Sequence, residues 1–214
     1  MRTHGRKNNG NRGAKLIEAL VLAAAYILGS IPFGYLLVKW VKGVDVRTQG
    51  SGNIGMTNVW RVAGAKWGIL TLVLDIAKGA LAVALARYLV PGNEMILVLS
   101  GLLALIGNVF SIFLKFKGGK GIGISVGVFF SLLWLPSLAG LIVFLIALAI
   151  GRMISVGSLL GVTTMAALTL YGHGMDWYSG LALFAALMIW WTHRQNIKRI
   201  LNGTENKITK KKAP

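Results

Sequence analysis

The sequence predicts an all-α integral membrane protein of about seven transmembrane helices, with its functional site at the cytoplasmic face. Three observations carry that prediction. Of 214 residues, 55% are apolar and only 14% are charged, whereas soluble domains carry roughly 25% charged residues. Mean hydropathy is +0.68, which rules out an ordinary soluble domain and a disordered chain alike. The 23 Lys and Arg, set against 6 Asp and Glu, cluster in the breaks between apolar runs, where they would orient the chain or meet anions.

Taken in order, residues 1–16 hold five basic side chains, Gly and Asn but no apolar face, so they read as a flexible basic tail or an appended remnant. Leu16 to Val38 follows as the first span. It resembles a secretory signal at its start, but at 1.5 Å per residue it is long enough for the ~30 Å hydrocarbon core, and further spans follow it. Those further spans are Trp67 to Val90, Met95 to Leu114, Ile122 to Leu135, Ser137 to Ile150, Ile154 to Tyr171 and Trp177 to Thr192. The fourth and fifth come from one overlong run, divided at Pro136 because proline does not continue a helix. The expected organisation is therefore a tail over 1–16, a seven-helix membrane domain over 17–193, and a basic cytoplasmic tail over 194–214.

Seven spans place the segments 39–66, 115–121, 151–153 and 193–214 on one side, and together these hold sixteen Lys and Arg. The opposite loops, 91–94 and 172–176, hold none, so the basic side is expected to be cytoplasmic. The basic N-terminal tail is the one contradiction to this rule. Nucleic acid is not an expected partner, since no soluble basic module remains once the spans are removed. The absence of Cys excludes disulfides and Cys-ligated zinc, and three scattered His make no metal site.

Chemistry concentrates in the basic segments. Gly50-Ser51-Gly52-Asn53-Ile54-Gly55 has the form of a dinucleotide fingerprint, but Val44 to Gln49 is no buried strand and Asp75 sits inside an apolar span. What remains is a small-residue loop whose successive N–H groups could converge on an anion; a merely flexible loop is the plain alternative. Lys115-Phe116-Lys117-Gly118-Gly119-Lys120-Gly121 departs from a Walker A loop at Leu114 and Gly121. Three Lys beside three Gly at the start of a helix nevertheless suit a phosphate better than they suit a topology anchor, which needs no glycines. Arg152, Ser155 and Ser158 open the sixth span, Ser155 as its expected cap. His193, with Asn196 three residues on, closes the seventh and could serve in proton transfer. Asp75 and Lys78, at i and i+3 within a span, are expected to form a structural ion pair.

Together, Gly50 to Val59 with Arg61, then Phe113 to Gly121, then His193 with Asn196-Ile197-Lys198-Arg199 and Gly203-Thr204-Glu205, resemble the three cytoplasmic motifs of the bacterial acyl-phosphate-dependent glycerol-3-phosphate acyltransferases, the PlsY family. The resemblance runs from about Ile17 to Lys207 and takes in Gly29-Ser30-Ile31-Pro32-Phe33-Gly34, Asp75 with Lys78-Gly79, and Arg152, Ser155 and Ser158. It departs at Asn108, where family members commonly carry His. It implies a multi-pass protein of the bacterial cytoplasmic (inner) membrane, with its active site facing the cytoplasm. The implied reaction moves a fatty acyl group from acyl phosphate to the 1-hydroxyl of glycerol 3-phosphate, giving lysophosphatidic acid and inorganic phosphate, with membrane lipid as surroundings and no cofactor or metal.

On this reading Arg61 and Lys120 are the main phosphate cations. Ser51, Asn53, Thr57, Ser155, Ser158 and the N–H groups of Gly118 and Gly119 donate hydrogen bonds. His193, supported by Asn196, orients or deprotonates the acceptor hydroxyl; in a rival scheme the donor's own phosphate takes the proton. Ser51 as an acyl-enzyme nucleophile is a further alternative, although no base is paired with it in sequence. The competing function class is a membrane transporter for an anionic phosphorylated metabolite. Against it stand the lack of internal repeats and the placing of every motif at one surface.

Overall fold

The computed structural model describes residues 4–208, with side chains from Arg12 onward; Lys210, Lys211 and Lys212 of the expected basic tail lie outside the described residues. Among the described residues the chain is helical and without strands. Its helices are α1 (His4–Ser30), α2 (Phe33–Lys42), α3 (Met56–Ala63), α4 (Ala65–Leu89), α5 (Glu94–Val109), α6 (Ile122–Leu132), α7 (Trp134–Gly151), α8 (Ile154–His173), α9 (Trp177–Thr192) and α10 (Arg194–Leu201). Five stretches, Arg12–Lys42, Ala65–Leu89, Glu94–Leu114, Trp134–Gly151 and Ile154–His173, are long and apolar enough to cross a membrane, and Ile122–Leu132 and Trp177–Thr192 are shorter apolar helices.

The helix boundaries correct the sequence reading in three places. The expected first span, Leu16 to Val38, is two helices broken at Ile31-Pro32, because Pro32 has no N–H to give and its ring crowds the preceding turn. The carbonyls exposed by the break are satisfied from elsewhere in the chain: Lys78 Nζ of α4 donates to Ile31 O at 2.8 Å, and Ser111 Oγ, just beyond α5, donates to Ser30 O at 2.6 Å. The expected ion pair is present, Lys78 Nζ lying 2.7 Å from Asp75 Oδ1. The second correction is at α6 and α7, which divide at Leu133 rather than Pro136. Pro136 is instead the third residue of α7, in a first turn whose N–H groups have no intrahelical acceptor. Third, helix extends into both expected tails, since α1 begins at His4 and α10 runs from Arg194.

The chain forms two compact units. In the first, which holds α1 to α5 and most of α6, α1 packs along α4 and α5. Small residues permit the approach: a Cβ on Gly29 would collide with the Ala104 carbonyl, and one on Gly107 with that of Tyr26. Val38, Val46, Ile54, Val59 and Leu114 form a buried cluster beneath the segment that joins α2 to α3. The second unit comprises Lys120–Ile122 and the chain from Leu132 onward. Its α7 and α8 meet at Gly140 and Gly161, where a Cβ on either would lie 2.6 or 2.7 Å from the other's carbonyl oxygen.

Candidate active site

In the first unit, the segment between α2 and α3 begins with Asp45, whose carboxylate accepts from Arg47 Nη2 at 2.6 Å and from Arg47 Nε at 3.0 Å. This hydrogen-bonded fork, the largest influence on both groups, holds the Asp45 carboxyl below its usual range and Arg47 above its own. The Gly50–Asn53 loop then wraps Asn58, the third residue of α3, which is only 1% exposed. Asn58 Oδ1 accepts the Ser51 N–H at 2.8 Å, and its Nδ2 lies 3.1, 3.0 and 2.9 Å from the carbonyl oxygens of Val46, Gln49 and Asn53.

This arrangement corrects the expectation that successive N–H groups of the glycine-rich loop converge on an anion. The Ser51 N–H goes to Asn58, the Gly52 N–H to Gln49 O at 3.0 Å, and the Gly55 N–H to Asn53 Oδ1 at 2.7 Å. A loop without large side chains has its own backbone groups as the nearest partners, so it closes on itself. What faces outward is side-chain chemistry, since Ser51 and Arg61 are both exposed and Asn53 and Thr57 half-buried.

The second motif shows the same economy. The N–H groups of Gly118 and Gly119, expected to meet a phosphate, donate instead to Val109 O and Asn108 O at 2.9 Å each. These carbonyls end α5 and would otherwise lack partners. A Cβ on Gly118 would collide with the Asn108 carbonyl, so the glycine is there for close approach. Lys115 and Phe116, at φ 53° and 61°, hold the preceding turn in the left-handed region.

In the second unit a polar network gathers residues from four separate stretches of chain. Thr192 Oγ1 donates to Lys120 O at 3.0 Å, and Lys120 Nζ donates to Asn196 Oδ1. Asn196 Nδ2 donates to Glu205 Oε1 at 2.6 Å, to which Ser155 Oγ also donates at 2.8 Å. Arg199 Nε donates to Glu205 Oε2 at 2.8 Å. The segment carrying Glu205 is tied down by the Ile208 N–H, which donates to Arg152 O at 2.7 Å. Burial raises the Glu205 carboxyl, but the hydrogen bonds from Asn196, Ser155 and Arg199 outweigh it, and the group is held below the usual carboxylate range.

His193 lies at the junction of α9 and α10 and is 4% exposed. Its Nδ1 is 2.8 Å from Ile189 O, which only accepts, so Nδ1 carries the proton and Nε2 the lone pair of the neutral ring. Burial first, and the Lys120 ammonium second, push the imidazole down to about 4.

The structure thus places Lys120, His193, Asn196 and Ser155, all expected from the sequence as site residues, within one unit. Sequence reasoning errs on Ser155 as a cap: α8 begins at Ile154 behind Met153, so Ser155 is already inside the helix with its hydroxyl turned to Glu205. Ser158 Oγ donates back to Ile154 O at 2.9 Å. Glu205 and Asn58 received no role. The signal for Glu205 was available, for it is the one acidic residue among seven basic ones in 193–214 and therefore needs partners.

The sequence matches the family described as Glycerol-3-phosphate acyltransferase over residues 19–203. It is 46% identical to the glycerol-3-phosphate acyltransferase of Myxococcus xanthus over 90% of this chain and 100% of that one. Identity to the glycerol-3-phosphate acyltransferase of Synechococcus sp. (strain CC9902) is 40%, over 92% of this chain and 98% of the other. The fold is similar to the crystal structure of PlsY (YgiH), an integral membrane glycerol 3-phosphate acyltransferase, in its glycerol 3-phosphate form. There the TM-score is 0.85 at 32% identity, over 90% of this chain and 96% of that one. Its lysophosphatidic acid form gives 0.82 at the same identity, over 90% and 95%.

Proposed function

The chain belongs to the glycerol-3-phosphate acyltransferase family, and from that premise we propose that it takes its acyl group from acyl phosphate, at the cytoplasmic face of a bacterial inner membrane. It is a multi-pass membrane acyltransferase that converts glycerol 3-phosphate to lysophosphatidic acid. Family membership sets aside the transporter.

The observation that carries the reading is the network of Lys120, Asn196, Ser155 and Glu205 beside a neutral His193. Acyl phosphate is a mixed anhydride, already activated, so the protein's task is positioning and charge stabilisation. The 1-hydroxyl oxygen attacks the acyl carbonyl carbon, the bond from that carbon to the phosphate oxygen breaks, and the hydroxyl proton passes to the departing phosphate. Lys120 and Arg61 supply cations for the phosphates, and Ser51, Asn53 and Thr57 supply hydrogen-bonding side chains; the Ser158 hydroxyl, expected among them, is already given to Ile154 O. With Nδ1–H committed to Ile189, His193 offers Nε2 as an acceptor that aims the hydroxyl. A base near 4 is a weaker proton sink than a phosphate, whose second pKa is about 6, so His193 orients while the phosphate collects the proton. Gly118 and Gly119 shape the approach to Lys120 through their close packing rather than through their N–H groups.

The test uses purified protein in detergent, given acyl phosphate or acyl-CoA with and without glycerol 3-phosphate. Expected are turnover with acyl phosphate, little with acyl-CoA, and phosphate release that requires glycerol 3-phosphate. Equal use of acyl-CoA would overturn the donor assignment. A phosphate burst from donor alone, with a stoichiometric adduct at Ser51 by mass spectrometry, would replace direct transfer by an acyl-enzyme.

A further inference from the structure

The Gly50–Asn53 loop has no bulky side chain to pin it by packing, and its partner is a single buried carboxamide. Three acceptors around Nδ2 and one donor at Oδ1 fix which way the Asn58 amide points. Its two N–H bonds serve three carbonyls, so one is shared, and the contacts reach from Val46 to Asn53. Gly50, at φ +57°, lies so close that a Cβ there would collide with Asn58 Oδ1. The loop is therefore wound onto this side chain, with Ser51 projecting outward and its own N–H bound to Asn58.

We infer that Asn58 is a positioning residue for acyl transfer: without meeting substrate, it holds the Gly50–Asn53 backbone so that the Ser51 hydroxyl is presented to the substrate phosphate. The inference rests on the reading of Ser51 given under the proposed function. It differs from a merely structural role, because the effect of Asn58 must pass through Ser51. A side chain that only stabilises the fold lowers activity whatever stands at position 51.

The experiment is a double-mutant cycle in purified protein with acyl phosphate and glycerol 3-phosphate, monitored beside monodispersity and thermal midpoint. Asn58→Asp keeps an acceptor for the Ser51 N–H but faces three carbonyls with oxygens. It should lower kcat by roughly 100-fold, the scale of a misplaced catalytic geometry. In the Ser51→Ala background the same change should cost less than about threefold. Gly50→Ala, which presses on the carboxamide from the loop side, should repeat this pattern, and it decides the matter if Asn58→Asp does not fold. Losses that multiply in the double variants would overturn the inference while leaving the proposed function standing. Full activity in Ser51→Ala would overturn the reading of Ser51 itself, and the inference with it.

Discussion

His193 shows what burial does to a side chain that titrates near neutrality. Its imidazole sits under Ile189 O, out of water and near the Lys120 ammonium, so the folded state disfavours the proton that the unfolded chain binds below about 6.5. The unfolded state then binds more protons between 6.5 and 4, and stability rises with pH across that window. The contribution is fully present above 6.5 and is lost as pH falls towards 4, with a total on the order of 3 kcal/mol. Glu205, also depressed, adds a loss in the same direction at lower pH, below its ordinary 4.5. Thermal midpoints measured from pH 7 to 4 should therefore fall, and in His193→Gln the part between 6.5 and 4.5 should flatten; an unchanged slope in that variant would place the proton elsewhere. His193, Lys120 and Asn196 were legible in the sequence as polar residues at span ends. Glu205 stood out only as a lone acid in a basic segment; its role was not legible, because its partners lie 6, 9 and 50 residues away.

The helices of the second unit meet through small residues. The Cβ of Gly161→Ala would lie 2.7 Å from the Gly140 carbonyl oxygen, so α7 and α8 must move apart to admit it. Overpacking of this kind costs about 1–3 kcal/mol, and in a membrane such close approach is itself a main source of helix association. Gly180→Ala on α9 meets nothing within 4 Å and should be neutral or slightly stabilising through helix propensity. Thermal unfolding in detergent should separate the two; equal midpoints would mean that the α7–α8 contact contributes little. Element boundaries follow the same logic of local partners. Asn93 and Asp176 cap α5 and α9 by accepting the Ile96 and Ser179 N–H groups at 3.2 and 2.8 Å. The Ile31-Pro32 break, by contrast, is stabilised by side chains distant in sequence, Lys78 and Ser111. Pro32 cannot continue the helix, and the arrival of those donors makes the break cheap.

For the whole molecule, the proposed topology puts Ser51, Lys120 and His193 on the cytoplasmic side and Gly92 and Gly174 on the other. The chain has no Cys, so single cysteines at these positions report membrane side directly. Impermeant reagent should label 92 and 174 from outside and 51, 120 and 193 only from inside; opposite sides for 51 and 120 would overturn the proposed topology. Composition and spacing by themselves determined that this is a helical membrane protein, roughly where each apolar helix runs, and which short segments combine cations with small residues. Those are local properties: hydrocarbon demands apolar length, and phosphate demands cations and small residues. Only the tertiary structure decided where the polar atoms go. The N–H groups of Ser51, Gly52, Gly118 and Gly119 looked available as sequence and are consumed by carbonyls and by Asn58. Ser155 looked like a cap and serves Glu205. A hydrogen bond is settled by which partner is nearest in space, and residues as far apart as Ser155 and Glu205, or Lys120 and Asn196, become neighbours only once the helices have packed.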